Sequence, residues 1–70
     1  MPFKYNRLFA LLAMRGLKAT DLRNMTGLSA PTMSKLVKGE PVNTRVLAKI
    51  CKALECNVED IMEYVPNQED

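Results

Sequence analysis

Apolar residues recur at helical spacing along most of the chain, in segments divided by short breakers. Leu8, Leu11 and Leu12 fall at i, i+3 and i+4, with Arg15 at i+7. That spacing predicts a helix over about Asn6 to Arg15, with Asn6 as N-cap and Gly16 as the left-handed residue that ends it. A second segment, about Ala19 to Thr26, turns Leu22 and Met25 inward and closes at Gly27. A third follows after only two residues, either capped by Ser29 or opened by Pro31. Met33, Leu36 and Val37 supply its buried face, and Gly39 closes it. The fourth pattern is the strongest: Asn43 as cap, then Leu47, Ile50, Cys51 and Leu54 on one face and Arg45, Lys49 and Lys52 on the other. A fifth segment opens on Asn57, carries Glu59 and Asp60 where the helix dipole favours acids, and runs through Ile61, Met62, Tyr64 and Val65 to Pro66. The β-branched alternation of strands is absent. The expected architecture is an all-α domain of five short helices over residues 1–66, with 67–70 a frayed acidic tail.

With 70 residues, 47% hydrophobic and 26% charged, the chain has the makeup of one small globular domain. Such a domain buries roughly 60% of its unfolded surface, which leaves little material for a deep catalytic cleft. The longest apolar run, Leu8 to Met14, is seven residues, too short to span a bilayer. Arg15 ends it and no small-residue cleavage site follows, so it reads as a core helix of a cytoplasmic protein rather than a signal peptide.

The charge is asymmetric. Residues 1–52 hold all ten basic residues against Asp21 and Glu40, a net +8, whereas residues 53–70 hold six acids and no base, a net −6. A basic body suggests a polyanionic partner on one face, the plainer alternative being a solubilised surface without one. The chain has no His, so no Cys/His zinc set and no His-dependent nucleophile can be assembled. Cys51 and Cys56 would diverge on one continuous helix, so core packing is expected of Cys51 and no bridge between them. No metal or cofactor site is expected. Glu59 and Asp60 read as helix-start charges rather than an acid–base pair, and the five Met residues mostly as core filler.

The joint at Gly27–Leu28–Ser29 has the length of a helix-turn-helix, in which the second helix is presented outward. With Met33, Leu36 and Val37 inward, Thr32 and Lys35 are exposed, Lys38 lies beyond them, and Ser29, Ala30 and Pro31 form the first turn. Hydroxyls, a methyl and an ammonium suit base edges and phosphates in a major groove. A helical hairpin with solvated lysines is the competing reading.

The stretches Arg15-Gly-Leu-Lys-Ala-Thr-Asp-Leu22 and Thr26-Gly-Leu-Ser-Ala-Pro-Thr-Met-Ser-Lys-Leu36 resemble the helix-turn-helix of Cro and the lambdoid phage repressors. Asn43 to Cys56, followed by Asp60-Ile-Met-Glu-Tyr-Val-Pro66, resembles a subgroup of very small bacterial regulators of this Cro/phage-repressor (XRE-like) type. The resemblance covers residues 5–66. It implies a five-helix, lambda-repressor-like fold, double-stranded DNA as ligand, transcriptional control and no cofactor. By matching position, it puts Ser29, Ala30, Pro31, Thr32 and Lys35 where a recognition helix meets base edges and flanking phosphates. Lys18, Ala19 and Thr20 match the start of the helix that abuts the backbone, and Lys38, Asn43 and Thr44 the far-side phosphate contacts. Leu22, Gly27, Met33 and Leu36 match the positions that hold the two helices together.

Two departures stand out. Arg23 replaces the small residue many relatives carry after Leu22, and its aliphatic stem is expected to lie over the helix contact with the charge in water. Ala30 and Pro31 stand where phage repressors carry glutamines, which shifts weight from base hydrogen bonds to shape and phosphate contacts. The expected function is sequence-specific DNA binding in transcriptional regulation, most simply repression. The alternative is a helical interaction or antitoxin-like module with secondary DNA binding, and an enzyme is disfavoured for want of acid–base groups. Helix five, through Ile61, Met62, Tyr64 and Val65, is the expected surface of a weak homodimer.

Overall fold

The computed structural model describes residues 2–66; the tail expected at 67–70 lies outside the described residues. Strand β1 (Phe3–Lys4) leads into α1 (Asn6–Met14), α2 (Ala19–Thr26), α3 (Ala30–Lys38) and α4 (Thr44–Leu54). A 3-10 turn at Val58–Asp60 and strand β2 (Glu63–Tyr64) follow.

The four helices begin and end for local reasons that the sequence largely displays. Ser29 accepts a hydrogen bond at Oγ from the Thr32 N–H (3.3 Å), leaving Ala30 and Pro31 as the first two residues of α3. Asn43 Oδ1 accepts from the Val46 N–H (2.9 Å). Each satisfies a donor that the first helical turn would otherwise strand. At the start of α1 the expectation fails: Tyr5 is the N-cap, Asn6 is already helical, and no side chain caps it. Tyr5 is held by its ring instead. It is buried in the core, and its hydroxyl donates to the Glu40 carbonyl (3.0 Å), tying the head of α1 to the loop after α3.

The core gathers Leu8 and Leu12 from α1, Leu22 from α2, Met33 and Leu36 from α3, and Ile50 and Leu54 from α4, with Leu28 plugging the α2–α3 joint. Leu11, Leu47 and Cys51, expected in the same stripes, are half-buried at its margin. Two residues expected inside are not. Met25 is 47% exposed and lines a surface groove between α2 and α4 with Lys49 and Lys52, and Val37 is 63% exposed. On helices this short, only the centre of the apolar stripe reaches the core, and residues a turn away along it meet the rim.

The fifth segment is where the architecture departs from five helices. The class is the expected all-α helix-turn-helix fold, but with four α-helices. Asn57 does start a turn, its N–H donating to Asp60 Oδ2 (2.9 Å). The turn is a single 3-10 one, after which the chain runs extended. β2 pairs antiparallel with β1, Phe3 opposite Tyr64 and Lys4 opposite Glu63, and the Val65 N–H donates to the Pro2 carbonyl (2.6 Å). Two causes act together. Pro66 bars the helical region to Val65 and cannot continue a helix, and the amino-terminal residues supply a strand partner for β-favouring Tyr64 and Val65. Ile61 drops fully into the core, so it closes the domain and is not available as a dimer contact. Arg7 fastens the strap from α1, donating from Nη1 to the Glu59 carbonyl (3.1 Å) with Nε 3.6 Å from Glu63 Oε2.

Candidate nucleic-acid interface

The joint between α2 and α3 is built from Thr26, Gly27 and Leu28. Gly27 adopts φ +72°, a left-handed conformation that side-chain-bearing residues enter at a cost, and its N–H donates to the Arg23 carbonyl (2.8 Å). Thr26 Oγ1 donates to the Leu22 carbonyl (2.7 Å) and accepts from the Leu28 N–H (3.4 Å). With Leu22, Met33 and Leu36 buried beneath it, this joint fixes how α3 leaves the body.

The rest of α3 faces outward. Ala30, Pro31, Ser34, Lys35, Val37 and Lys38 are exposed, and Thr32 is half-buried. Ser29 Oγ donates to Thr32 Oγ1 (3.0 Å) while accepting from the Thr32 backbone. Both hydroxyls are therefore oriented by the helix cap, and the free lone pairs and proton of Thr32 are what a ligand would meet. Lys35 and Lys38 lie in the last turn, where cations also suit the helix dipole.

At the head of α2, Lys18 is the N-cap residue, but its side chain makes no cap hydrogen bond. Asp21 Oδ2 accepts from the Lys18 N–H (2.8 Å), which holds the acid against its own backbone. Lysine has no acceptor, so among the described residues no side chain caps the first N–H groups of α2, which stay open to a ligand beside Lys18. Ala19 and Thr20 from this end line one shallow surface groove of about 210 Å³ with Arg23, Ala30, Ser34 and Val37.

Of the residues singled out from sequence, Ala19, Thr20 and Ala30 therefore come together in that groove, with Lys18 directly before them in the chain. Ser29, Pro31, Thr32 and Lys35 belong to the same helix, while Lys38 stands at its far end beside Lys4 and Phe9. Asn43 and Thr44 are exposed at the head of α4. The Asn43 carboxamide oxygen is occupied by the Val46 N–H, so its NH₂ group is what it can offer a ligand. Three groove residues were missed by sequence reasoning. Ser34 and Val37 follow Ala30 at i+4 and i+7, a row visible in the spacing but masked by assigning Val37 to the core. Arg23 lies at the groove edge with its charge exposed, as its long side chain allows.

Cys51 and Cys56 are both free and half-buried against the core, and a turn at Glu55 separates them. Glu55 ends α4 at φ +52° and turns the chain back, so the Cys56 N–H donates to the Cys51 carbonyl (3.1 Å).

Comparison with known proteins agrees with this geometry. The Cro/C1-type HTH DNA-binding domain matches residues 7–67. An uncharacterised HTH-type transcriptional regulator of Bacillus subtilis (strain 168), YozG, is 39% identical over 56 residues, covering 77% of this chain and 67% of the relative. The crystal structure of the transcriptional regulator VanUg superposes with a TM-score of 0.90 at 41% identity, covering 94% of this chain and 88% of that one. The chain belongs to the Cro/C1-type helix-turn-helix DNA-binding family, and its fold and family are those of transcriptional regulators rather than of enzymes. No helix among the described residues is long and apolar enough to cross a membrane.

Proposed function

We propose that this protein binds double-stranded DNA sequence-specifically through α3 and regulates transcription from the cytoplasm, most simply as a repressor that occupies a promoter. The observation that carries the reading is the groove shared by the head of α2 and the outer face of α3, within a chain of this family. Ser29, Ala30, Pro31, Thr32 and Lys35, joined by Ser34, are the base-facing set. The methyl groups of Ala30, Thr32 and Val37 suit thymine methyls, and the Lys35 ammonium suits guanine O6 and N7. Lys18, Ala19 and Thr20, with the uncapped N–H groups of α2, take a backbone phosphate on one side. Lys38, Asn43 and Thr44 take phosphates on the other.

One such domain meets few base pairs, so we propose two copies related by a two-fold axis, reading half-sites about 34–36 Å apart. The free protein is a weak dimer, with a dissociation constant on the order of micromolar. Ile61 is withdrawn from the contact surface by its burial, leaving Tyr64, Val65 and the half-buried Met62 with Phe3, whose ring packs 5.5 Å from that of Tyr64. Selection of duplexes from a random pool by the purified protein, followed by a salt titration on the selected duplex, tests the whole reading. A recurrent half-site motif and a linear fall of log affinity with log salt are expected. A pool without enrichment, or an affinity indifferent to salt, contradicts it.

A further inference from the structure

The end of α4 carries two cysteines in an arrangement that DNA binding does not use. Glu55 is the left-handed residue after the helix, and both its N–H and that of Cys56 donate to the Cys51 carbonyl. The second bond, from the residue after the left-handed one back to the carbonyl five residues earlier, is the signature of a Schellman ending. In that ending the side chains of those two positions meet, usually as an apolar contact. Here both are cysteines. With the N–H to carbonyl link at 3.1 Å, standard backbone dimensions hold the two Cα atoms within about 7 Å. Disulfides close at Cα separations of about 4.4–6.8 Å.

The pair is reachable. Both cysteines line a surface cavity of about 590 Å³ with Leu11, Arg15, Asn57 and Asp60, and both are half-buried. The Arg15 guanidinium is fixed nearby by donating to the Leu54 carbonyl. Burial first, then the Cys51 thiol beside it, push the Cys56 thiol above its ordinary range, while Arg15 pulls the other way. The Cys51 thiol is thus close enough to act on the Cys56 thiol. Among the described residues no group of three His, Cys, Asp or Glu side chains could hold a metal ion, so the pair lacks the company of a zinc site.

We propose that Cys51 and Cys56 form a dithiol modification site that closes to an intramolecular disulfide by exchange with a small-molecule disulfide. One cysteine thiolate attacks the oxidant, breaking its S–S bond, releasing one thiol and forming a mixed disulfide. The second cysteine attacks the mixed disulfide at the first cysteine's sulfur and releases the second thiol. Two cysteine thiols are oxidised and one disulfide is reduced to two thiols, the two protons passing to the leaving thiolates. The Schellman turn does the positioning, so the native fold favours closure.

The test equilibrates the purified native protein with glutathione and glutathione disulfide, quenches with acid and weighs the intact chain. The expected product is a monomer two hydrogens lighter. Its formation constant is larger in the native chain than in urea by about tenfold or more, a potential about 30 mV lower for this two-electron couple. In Cys51→Ser or Cys56→Ser the same treatment stops at a single mixed adduct. A smaller ratio, or glutathione adducts and linked dimers of the unaltered chain in place of the closed monomer, overturns the proposal.

Discussion

Ile61→Ala separates a core strap from an interaction surface. The isoleucine is 1% exposed and sits between the 3-10 turn and β2, where it packs into the cluster formed by the helices. Truncation removes three carbons, about 2.4 kcal/mol at about 0.8 kcal/mol each. The cavity left behind brings the loss into the range of about 2.5–4 kcal/mol. A chain of this size holds about 3.5–10 kcal/mol in total, so about a quarter or more of its stability is at stake. Urea unfolding followed by far-ultraviolet circular dichroism reads the effect as a lower midpoint with little change of slope. Sedimentation velocity under native conditions checks self-association in parallel. A stability loss under about 0.5 kcal/mol, the range of ordinary surface substitutions, combined with weakened self-association, would show that Ile61 is an outward contact. The account of the strap would then fail.

Three further outcomes follow from the same geometry. Gly27→Ala meets open space but must hold φ +72°, so it costs about 1–2 kcal/mol in the urea midpoint, and Gly27→Asn costs less because Asn tolerates that region. Asn43→Ala leaves the Val46 N–H without its acceptor and lowers stability by about 1 kcal/mol, measured in the same way. Burial raises the Tyr5 phenol above 10.0, so the folded state keeps this proton where the unfolded state loses it. Stability from this source is complete below pH 10 and is lost as pH rises through the folded value. Tyr5→Phe flattens that alkaline decline, and at neutral pH it removes the bond to the Glu40 carbonyl for about 1 kcal/mol.

The parts of this fold legible in the sequence are those decided by neighbours along the chain. Ser29 and Asn43 cap their helices because a hydroxyl or carboxamide oxygen two or three residues upstream is all the first turn needs. Gly27 and Gly39 end theirs because only local backbone strain is in question. The carboxyl end is not legible locally because its conformation is settled by residues near the opposite end of the described chain. Glu63 and Tyr64 become a strand by pairing with Phe3 and Lys4, and helical spacing in Ile61, Met62, Tyr64 and Val65 carries no trace of that partner. Asn6 has the side chain of a cap, but the packing of the Tyr5 ring, which fixes the start of α1, is tertiary and leaves no local signal. Val37 falls in the apolar stripe, yet on α3 only Met33 and Leu36 reach the core, and the stripe masks the row of Ala30, Ser34 and Val37. The approach of Cys56 to Cys51 is not legible because the left-handed conformation that Glu55 takes is usually signalled by glycine.

The outward face of α3 as the reader of DNA is tested most directly by comparing Lys35→Ala with Lys38→Ala on the selected duplex and on its single-base-pair variants, across a salt series. Lys35→Ala is expected to lose about 1–3 kcal/mol of discrimination at particular base pairs. Lys38→Ala is expected to weaken all duplexes about equally and to lower the salt slope by about one ion. If Lys35→Ala leaves both affinity and base preference unchanged, α3 is not the recognition helix.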